Sequence, residues 1–106
     1  MSFTSEELNL LAKMESGALN GLVGDTWQAG KSTCWRVIED GIPREYKRGP
    51  GGKFFNGKEN ERYSGVLHLE CEWHSDELKI AFLRTYGWLM SDPDVRAYSA
   101  KFKPQR

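Results

Sequence analysis

Residues 33–47 read TCWRVIEDGIPREYK, and this stretch predicts the hairpin on which the rest of the fold depends. Asp40-Gly41 lies between two β-rich runs. Such a pair is typical of a two-residue type I′ turn, because both central residues of that turn need positive φ. Pro43 has no N–H to donate, so it suits an edge strand or the first residues of the returning strand. The sequence therefore predicts an antiparallel hairpin that turns at residues 40–41.

A second β-rich stretch follows at residues 62–73, RYSGVLHLECEW. Leu67, Leu69, Cys71 and Trp73 alternate along it, so in a regular strand their side chains share one face. We expect that apolar face to lie in the core and the polar face to lie opposite. This stretch is the strongest strand signal in the chain.

The glycine-rich segment 47–62, KRGPGGKFFNGKENER, separates these two β-rich stretches. Its glycines and proline predict a long flexible loop. Asn56-Gly57 is itself a turn signal, so the alternative is a ribbon that begins at Phe54-Phe55 and returns through Lys58. The sequence leaves both alternatives open.

The N-terminal residues predict a helix with a complete start signal. Thr4 and Glu7 have the spacing of a capping box, in which each side chain bonds the other residue's backbone N–H. The helix is expected to begin at residue 5 and to end between residues 16 and 23, where several glycines weaken the helical pattern.

Two further helices are predicted after the last strand. Ser75 is a candidate N-cap for the first of them. Its apolar stripe consists of Leu78, Ala81, Phe82, Tyr86 and Leu89 and is widened by Ile80 and Leu83. Asp92-Pro93 predicts the start of a short third helix. The elements therefore follow the order helix, hairpins, helix, helix, which contains no βαβ alternation. It predicts one α+β domain, residues 1–106, with an antiparallel sheet of three to five strands and two C-terminal helices packed on one sheet face.

Composition excludes several classes of protein. The chain has 106 residues and no net charge, and its apolar fraction of 39% argues against intrinsic disorder. It has no apolar run of membrane-spanning length, and its polar, acidic first residues do not resemble a signal peptide. Cys34 and Cys71 are too few for a disulfide framework, so both are expected to be small buried thiols in a cytoplasmic protein. We expect no cofactor and no membrane contact; the oligomeric state stays open.

The zero net charge conceals four segments of alternating sign. Residues 1–30 carry a net charge of −3, residues 31–62 carry +3, residues 63–94 carry −4 and residues 95–106 carry +4. This pattern excludes a uniformly basic protein. It leaves open a two-signed surface, if the fold brings segments of like charge together.

The basic segments supply the leading functional hypothesis. Cations that could bind phosphates are interleaved there with aromatic rings that could stack on bases or on a protein partner. We expect a non-enzymatic binding or regulatory module that contacts a protein partner or nucleic acid; small neutral domains of this kind occur as accessory factors, including those of phages and mobile elements. The candidate binding residues are Arg44, Tyr46, Lys47, Arg48, Lys53, Phe54, Phe55, Lys58, Arg62, Lys101 and Lys103.

The polar side of the 62–73 strand supplies an alternative. His68, Glu70, Glu72 and His74 recur at spacing two, so in a regular strand they project from one face. Imidazoles and carboxylates could hold zinc or manganese, or act as general acid and base. The alternative function is therefore a small metal-dependent hydrolase or nuclease.

Two other patterns in the chain bear on its function. The segment 24–32, GDTWQAGKS, resembles a phosphate-binding loop but has one residue too many between its glycines and lies between a helix and a strand, in the wrong order. Four tryptophans are many for this length, and aromatic side chains of this kind favour protein recognition. Trp27, beside a polar turn, is the one expected to be partly exposed.

Overall fold

The computed structural model describes residues 2–49, 51–55, 58–64 and 67–102, with side chains for 2–49 and 67–102. The helices are α1 (Ser5–Ser16), α2 (Asp76–Tyr86) and α3 (Pro93–Ala100), and a 3₁₀ turn, Gly87–Leu89, lies between the last two. The strands are β1 (Val23–Ala29), β2 (Ser32–Glu39), β3 (Ile42–Arg48), β4 (Gly51–Phe55), β5 (Lys58–Ser64) and β6 (Leu67–Glu72).

The strands form a four-stranded antiparallel sheet in the order β1-β2-β3-β6 and a separate two-stranded ribbon, β4-β5. The ribbon is inserted between β3 and β6, at the end of the sheet opposite the 40–41 turn. Of the two alternatives for the glycine-rich segment, the structure has the ribbon, which begins at Gly51, before the predicted Phe54-Phe55, and returns from Lys58. Residues 56–57 lie outside the described residues. With a helix before the sheet and two after it, the arrangement is the predicted α+β fold.

The turn at residues 40–41 has the geometry that its sequence predicts. Asp40 has a φ of 53° and Gly41 a φ of 74°, so both central residues are in the left-handed region. Asp40 is the non-glycine residue with positive φ among those described. Pro43 is the second residue of β3, and its carbonyl accepts a hydrogen bond from the Trp73 N–H at 3.0 Å. The register of the β2-β3 hairpin follows directly from this turn.

The helix starts are also confirmed. The Thr4 hydroxyl accepts from the Glu7 N–H, and the Glu7 carboxylate accepts from the Thr4 N–H, which completes the capping box. Ser75 caps α2 by accepting from the Leu78 N–H, and Asp92 caps α3 by accepting from the Val95 N–H. The end of α1 comes at the early limit of its predicted range, because Gly17, with φ at 88°, donates its N–H back to the carbonyls of the last turn.

The hydrophobic core lies between the three helices and one end of the sheet. Within the described part of the chain, Ile38 is the sheet member of the buried cluster, while Cys34 and Val37 of β2 are buried outside that cluster. At the ribbon end, His68 and Glu70 of β6 are exposed. The buried cluster consists of Leu10, Met14, Leu19, Ile38, Ile80, Phe82, Leu83, Met90, Val95 and Tyr98.

The apolar stripe predicted for α2 meets this core only in part. Phe82 and the two residues that widen the stripe, Ile80 and Leu83, are buried, but Leu78 and Ala81 are exposed. The amphipathic stripe is wide enough to allow either rotation of the helix, and contacts with the other helices select this one. Among the described residues, no helix is long and apolar enough to cross a membrane.

Arg36 connects the sheet to α2. Its guanidinium lies between two aromatic rings, 4.3 Å from the ring centroid of Trp27 and 3.9 Å from that of Tyr86. It also forms ion pairs with Asp25 and Glu45 on the flanking strands. Trp27 is half-buried by this contact, as its position beside the turn predicts. Arg36 thus pairs with one oxygen of each of two half-buried carboxylates and joins the sheet to Tyr86 at the end of α2.

We expect Arg36→Lys to lower the free energy of unfolding by about 1–2 kcal/mol, because an ammonium cannot stack between two rings and bond two carboxylates at once. Urea unfolding followed by tryptophan fluorescence measures the effect. Arg96→Lys, on the exposed side of α3, is the matched control and should change stability by less than about 0.5 kcal/mol. Equal effects from both substitutions would contradict the anchoring role.

Candidate binding surface on the helix-free sheet face

A β-bulge in β6 determines which side chains reach each face of the sheet. Glu45 pairs with Cys71, but the next residue, Tyr46, pairs with Leu69. Glu70 is therefore an extra residue in β6 without a partner of its own in β3. Such an insertion reverses the alternation of side chains beyond it.

The bulge separates the four residues of the proposed metal site, so the prediction that they share one face is wrong. His68 pairs with Lys47, and with Glu70 it lines the helix side of the sheet. Glu72 pairs with Arg44, and His74 bonds Glu72 on the opposite side. No group of three or more His, Cys, Asp or Glu residues arranged to hold a metal ion occurs within 2–49 and 67–102.

Glu72 is instead part of a charged network. One of its oxygens accepts from Arg44 Nε at 2.7 Å and the other lies 2.7 Å from His74 Nε2. Hydrogen bonds from His74 and Arg44 hold the pKa of Glu72 below its usual value. Both oxygens of this carboxylate thus have partners, one in Arg44 and the other in His74.

The same bulge overturns the predicted core face of β6. Leu67 and Leu69 are 48% and 49% exposed, and Cys71 is exposed, whereas Cys34 is buried as predicted. Trp73, beyond the bulge, packs against the core, with its ring centroid 4.9 Å from that of Phe82. The two leucines thus lie on one side of the sheet and Trp73 on the other.

The helices cover one face of the sheet, which we call the inner face. Tyr86 contacts Arg36, Phe82 contacts Trp73, and Met90 lies against Gly24. These three contacts lie on the same side of the sheet as Arg36. The opposite side, the outer face, carries the side chains that alternate with Arg36 and Ile38 on β2.

Aromatic, cationic and aliphatic side chains adjoin on the outer face near the ribbon. Trp35 and Tyr46 are register partners, and their rings are stacked with centroids 5.7 Å apart and planes inclined by 29°. The Arg48 guanidinium lies 5.3 Å from the Trp35 ring centroid. Leu69 pairs with Tyr46, and Leu67 pairs with Arg48. We call these five residues the outer patch.

A charged cluster borders the outer patch on the side of the 40–41 turn. Arg44 Nη1 lies 3.3 Å from Glu39 and 3.8 Å from Asp40, while Arg44 Nε bonds Glu72. The Tyr46 hydroxyl donates to Glu39, and this bond, together with burial, raises the pKa of Tyr46. The cluster holds one cation among three carboxylates, so this end of the outer face is net negative.

The structure divides the predicted binding residues. Arg44, Tyr46 and Arg48 lie on the outer face, but Lys47 points to the inner face, where it pairs with His68. Lys101 is at the end of α3 and forms an ion pair with Glu6 of α1, so it does not extend the strand surface. Lys103 and the side chains of Lys53, Phe54, Phe55, Lys58 and Arg62 lie outside the described residues.

A shallow depression of about 340 Å³ lies on the inner face beyond the helices. It is lined by Ser32, Lys47, Gly49, His68 and Glu70. Cationic and anionic side chains both line it, and it is open to solvent. It contains neither the stacked rings nor the exposed leucines of the outer patch.

Sequence reasoning missed three members of the outer patch, Trp35, Leu67 and Leu69. A signal for Trp35 was present, because a two-residue turn at 40–41 fixes Trp35 opposite Tyr46. No comparable signal existed for the leucines, whose face depends on the bulge. Comparisons of the chain with family models, curated proteins and solved structures gave no match, so this surface is interpreted from its own geometry.

Proposed function

We propose that this protein is a non-enzymatic binding module that recognises a protein partner through the outer patch. The observation that carries the proposal is the juxtaposition of two half-exposed leucines with a stacked Trp-Tyr pair and an arginine. Trp, Tyr and Arg are the residues most enriched at the energetic centres of protein interfaces. With both cysteines free, a cytoplasmic location belongs to the same proposal.

The position of the outer patch supports this role. Leu67 and Leu69 are adjacent aliphatic side chains on one sheet face, and contiguous apolar surface of this kind marks interaction sites more often than isolated exposed residues do. A partner that buries the exposed parts of these two leucine side chains would remove apolar area from water. The conformational cost would be small, because side chains on a strand are already ordered. The bordering ion pairs provide a polar rim.

A protein partner fits this surface better than nucleic acid does. Arg44 is neutralised by Glu39 and Glu72, so it offers little charge to a phosphate. The exposed leucines have no counterpart in phosphate or base recognition, which relies on cations and on free aromatic faces. Trp35 already has the Tyr46 ring and the Arg48 guanidinium as neighbours.

Leu69→Asp is expected to remove binding by placing a charge at the centre of the outer patch. In affinity capture from cells that express the protein, partners retained by the wild type should be lost with this variant. Leu78→Asp is the matched control, because Leu78 is 47% exposed but lies on α2. Capture that is the same for all three proteins would overturn the proposal.

Nucleic acid is tested separately by fluorescence anisotropy with single- and double-stranded oligonucleotides at low salt. We expect no binding tighter than about 100 µM, since the chain has no net charge and the outer face is mixed in sign. Tighter binding, with an affinity that falls steeply as the salt concentration rises, would identify nucleic acid as the partner in place of a protein. The candidate residues would then be those of the ribbon segment.

A further inference from the structure

We propose that the partner of the outer patch is a second copy of this chain, with the two outer faces packed together around a twofold axis. This inference rests on the proposed function, since it names the occupant of the same surface. Two features support it: the separation of charge along the outer face, and the position of Leu69 and the Trp35-Tyr46 pair between the two charged ends.

The two ends of the outer face carry opposite charge. At the turn end, Glu39, Asp40 and Glu72 surround Arg44, which leaves a net charge of −2. At the ribbon end of the outer face the described cation is Arg48 on β3, and Lys31 lies in the exposed turn between β1 and β2. Because Thr33 pairs with Arg48, these two cations lie at the same end of the sheet.

A twofold axis would place unlike ends of two copies opposite each other. Tyr46 lies midway along β3, so Arg44 and Arg48 are each two residues, or ~7 Å, from it in opposite directions. If the axis runs across the strands near Tyr46 and Leu69, Arg48 of one copy faces Arg44 of the other together with the three carboxylates that surround it, a cluster with a net charge of −2. Twofold symmetry forms this contact twice, as an isologous interface requires.

The apolar residues of the outer patch would then meet at the centre of the interface. Leu69 and the Trp35-Tyr46 pair lie between the charged ends, where facing sheets at ~10 Å separation interdigitate their side chains. The charge pairs would form the rim. An interface with an apolar centre and complementary rim charges is favoured over one that opposes like ends, because opposed like charges are repulsive.

The size of the sheet sets the expected strength. Four strands of about seven residues cover roughly 450 Å² per copy, about half of the 800 Å² that each partner contributes to a standard interface. The dimer should therefore be reversible, with a Kd of about 10–100 µM. Because rim charges contribute, raising the salt concentration to ~1 M should weaken it.

Sedimentation velocity of the full chain from 2 to 400 µM, roughly spanning that Kd range, tests the proposal. The wild type should shift from monomer to dimer, and Leu69→Asp should raise the Kd by at least about tenfold. Leu78→Asp, with matched exposure on α2, should associate as the wild type does. Circular dichroism of both variants confirms that they remain folded. A wild type that stays monomeric throughout would overturn the proposal.

Charge reversal tests the predicted orientation. Arg48→Glu and Glu72→Arg should each weaken self-association, because each homodimer would oppose like charges twice. An equimolar mixture of the two variants should dimerise again, since both contacts in the heterodimer join opposite charges. Absence of that rescue would exclude the twofold arrangement described here.

The outcomes for self-association and for the proposed function can be distinguished. A monomeric wild type that still loses captured partners with Leu69→Asp would reject self-association and retain a protein-binding outer patch. A monomeric wild type whose captured proteins are unaffected by Leu69→Asp would reject both. A dimer that Leu69→Asp leaves intact would place the interface elsewhere on the molecule and overturn the inference.

Discussion

Glu7→Gln is expected to lower the free energy of unfolding by about 3 kcal/mol at neutral pH. Glu7 is buried, and its carboxylate connects all three helices: Oε2 accepts from the Tyr98 hydroxyl at 2.6 Å and from Arg84 Nη2 at 2.9 Å, and Oε1 accepts from the Thr4 N–H. A neutral amide keeps the shape of the side chain but weakens these charge-assisted bonds. Chemical unfolding at pH 7 measures the loss.

The same contact predicts how stability depends on pH. Hydrogen bonds from Tyr98, Thr4 and Arg84 lower the pKa of Glu7 to about 2 from its usual 4.5. A carboxyl whose pKa is lower in the folded state stabilises the protein above its unfolded-state pKa. That contribution is lost as the pH falls through the folded-state pKa. Between pH 5 and pH 2 the wild type should therefore lose more stability than Glu7→Gln.

Glu6→Gln is the matched control for this prediction. Glu6 lies in the same first turn of α1 and has the same favourable relation to the helix dipole, but its partner is exposed Lys101. Its substitution should cost no more than about 0.5 kcal/mol, as expected for a surface ion pair. If Glu6→Gln and Glu7→Gln lower stability equally, the three-helix contact is not the source of the effect.

Features of the fold that depend on near neighbours could be predicted from the sequence. Thr4, Ser75 and Asp92 cap their helices through bonds that span three residues, so the local pattern is sufficient. The 40–41 turn likewise depends on two residues whose conformational preferences are strong. The capping role of Glu7 was visible for the same reason, but its bonds to Arg84 and Tyr98 join residues more than seventy positions away.

The candidate surface could be predicted only in part. Tyr46 and Arg48 were identified from composition, and the turn fixes Trp35 opposite Tyr46. The faces of Leu67 and Leu69 could not be predicted, because a one-residue bulge arises from pairing with β3 and leaves no mark in the alternation of β6. In a regular strand these leucines would face the core, and the two histidines and two glutamates of residues 68–74 would share the other face. One inserted residue therefore decides between a candidate metal site and a candidate protein-binding surface.

Gly41→Ala is the second substitution for which we expect a large effect. It should lower the free energy of unfolding by about 3 kcal/mol or more. Gly41 has positive φ, which an L-residue adopts at a cost, and an added Cβ would lie 2.8 Å from the Met14 carbonyl oxygen. That oxygen belongs to the backbone of α1 and cannot rotate away. The tip of the central hairpin and α1 would therefore have to separate.

Gly30→Ala isolates the steric part of this effect. Gly30 also lies in a two-residue hairpin turn with positive φ, at 65°, but an added Cβ there meets no atom within 4 Å. This control should cost about 1 kcal/mol, the conformational penalty alone. Thermal and urea unfolding of both variants give the difference, which we assign to the contact between the hairpin tip and α1. Equal losses at the two glycines would mean that α1 moves to accommodate the methyl group and that the core depends little on this contact.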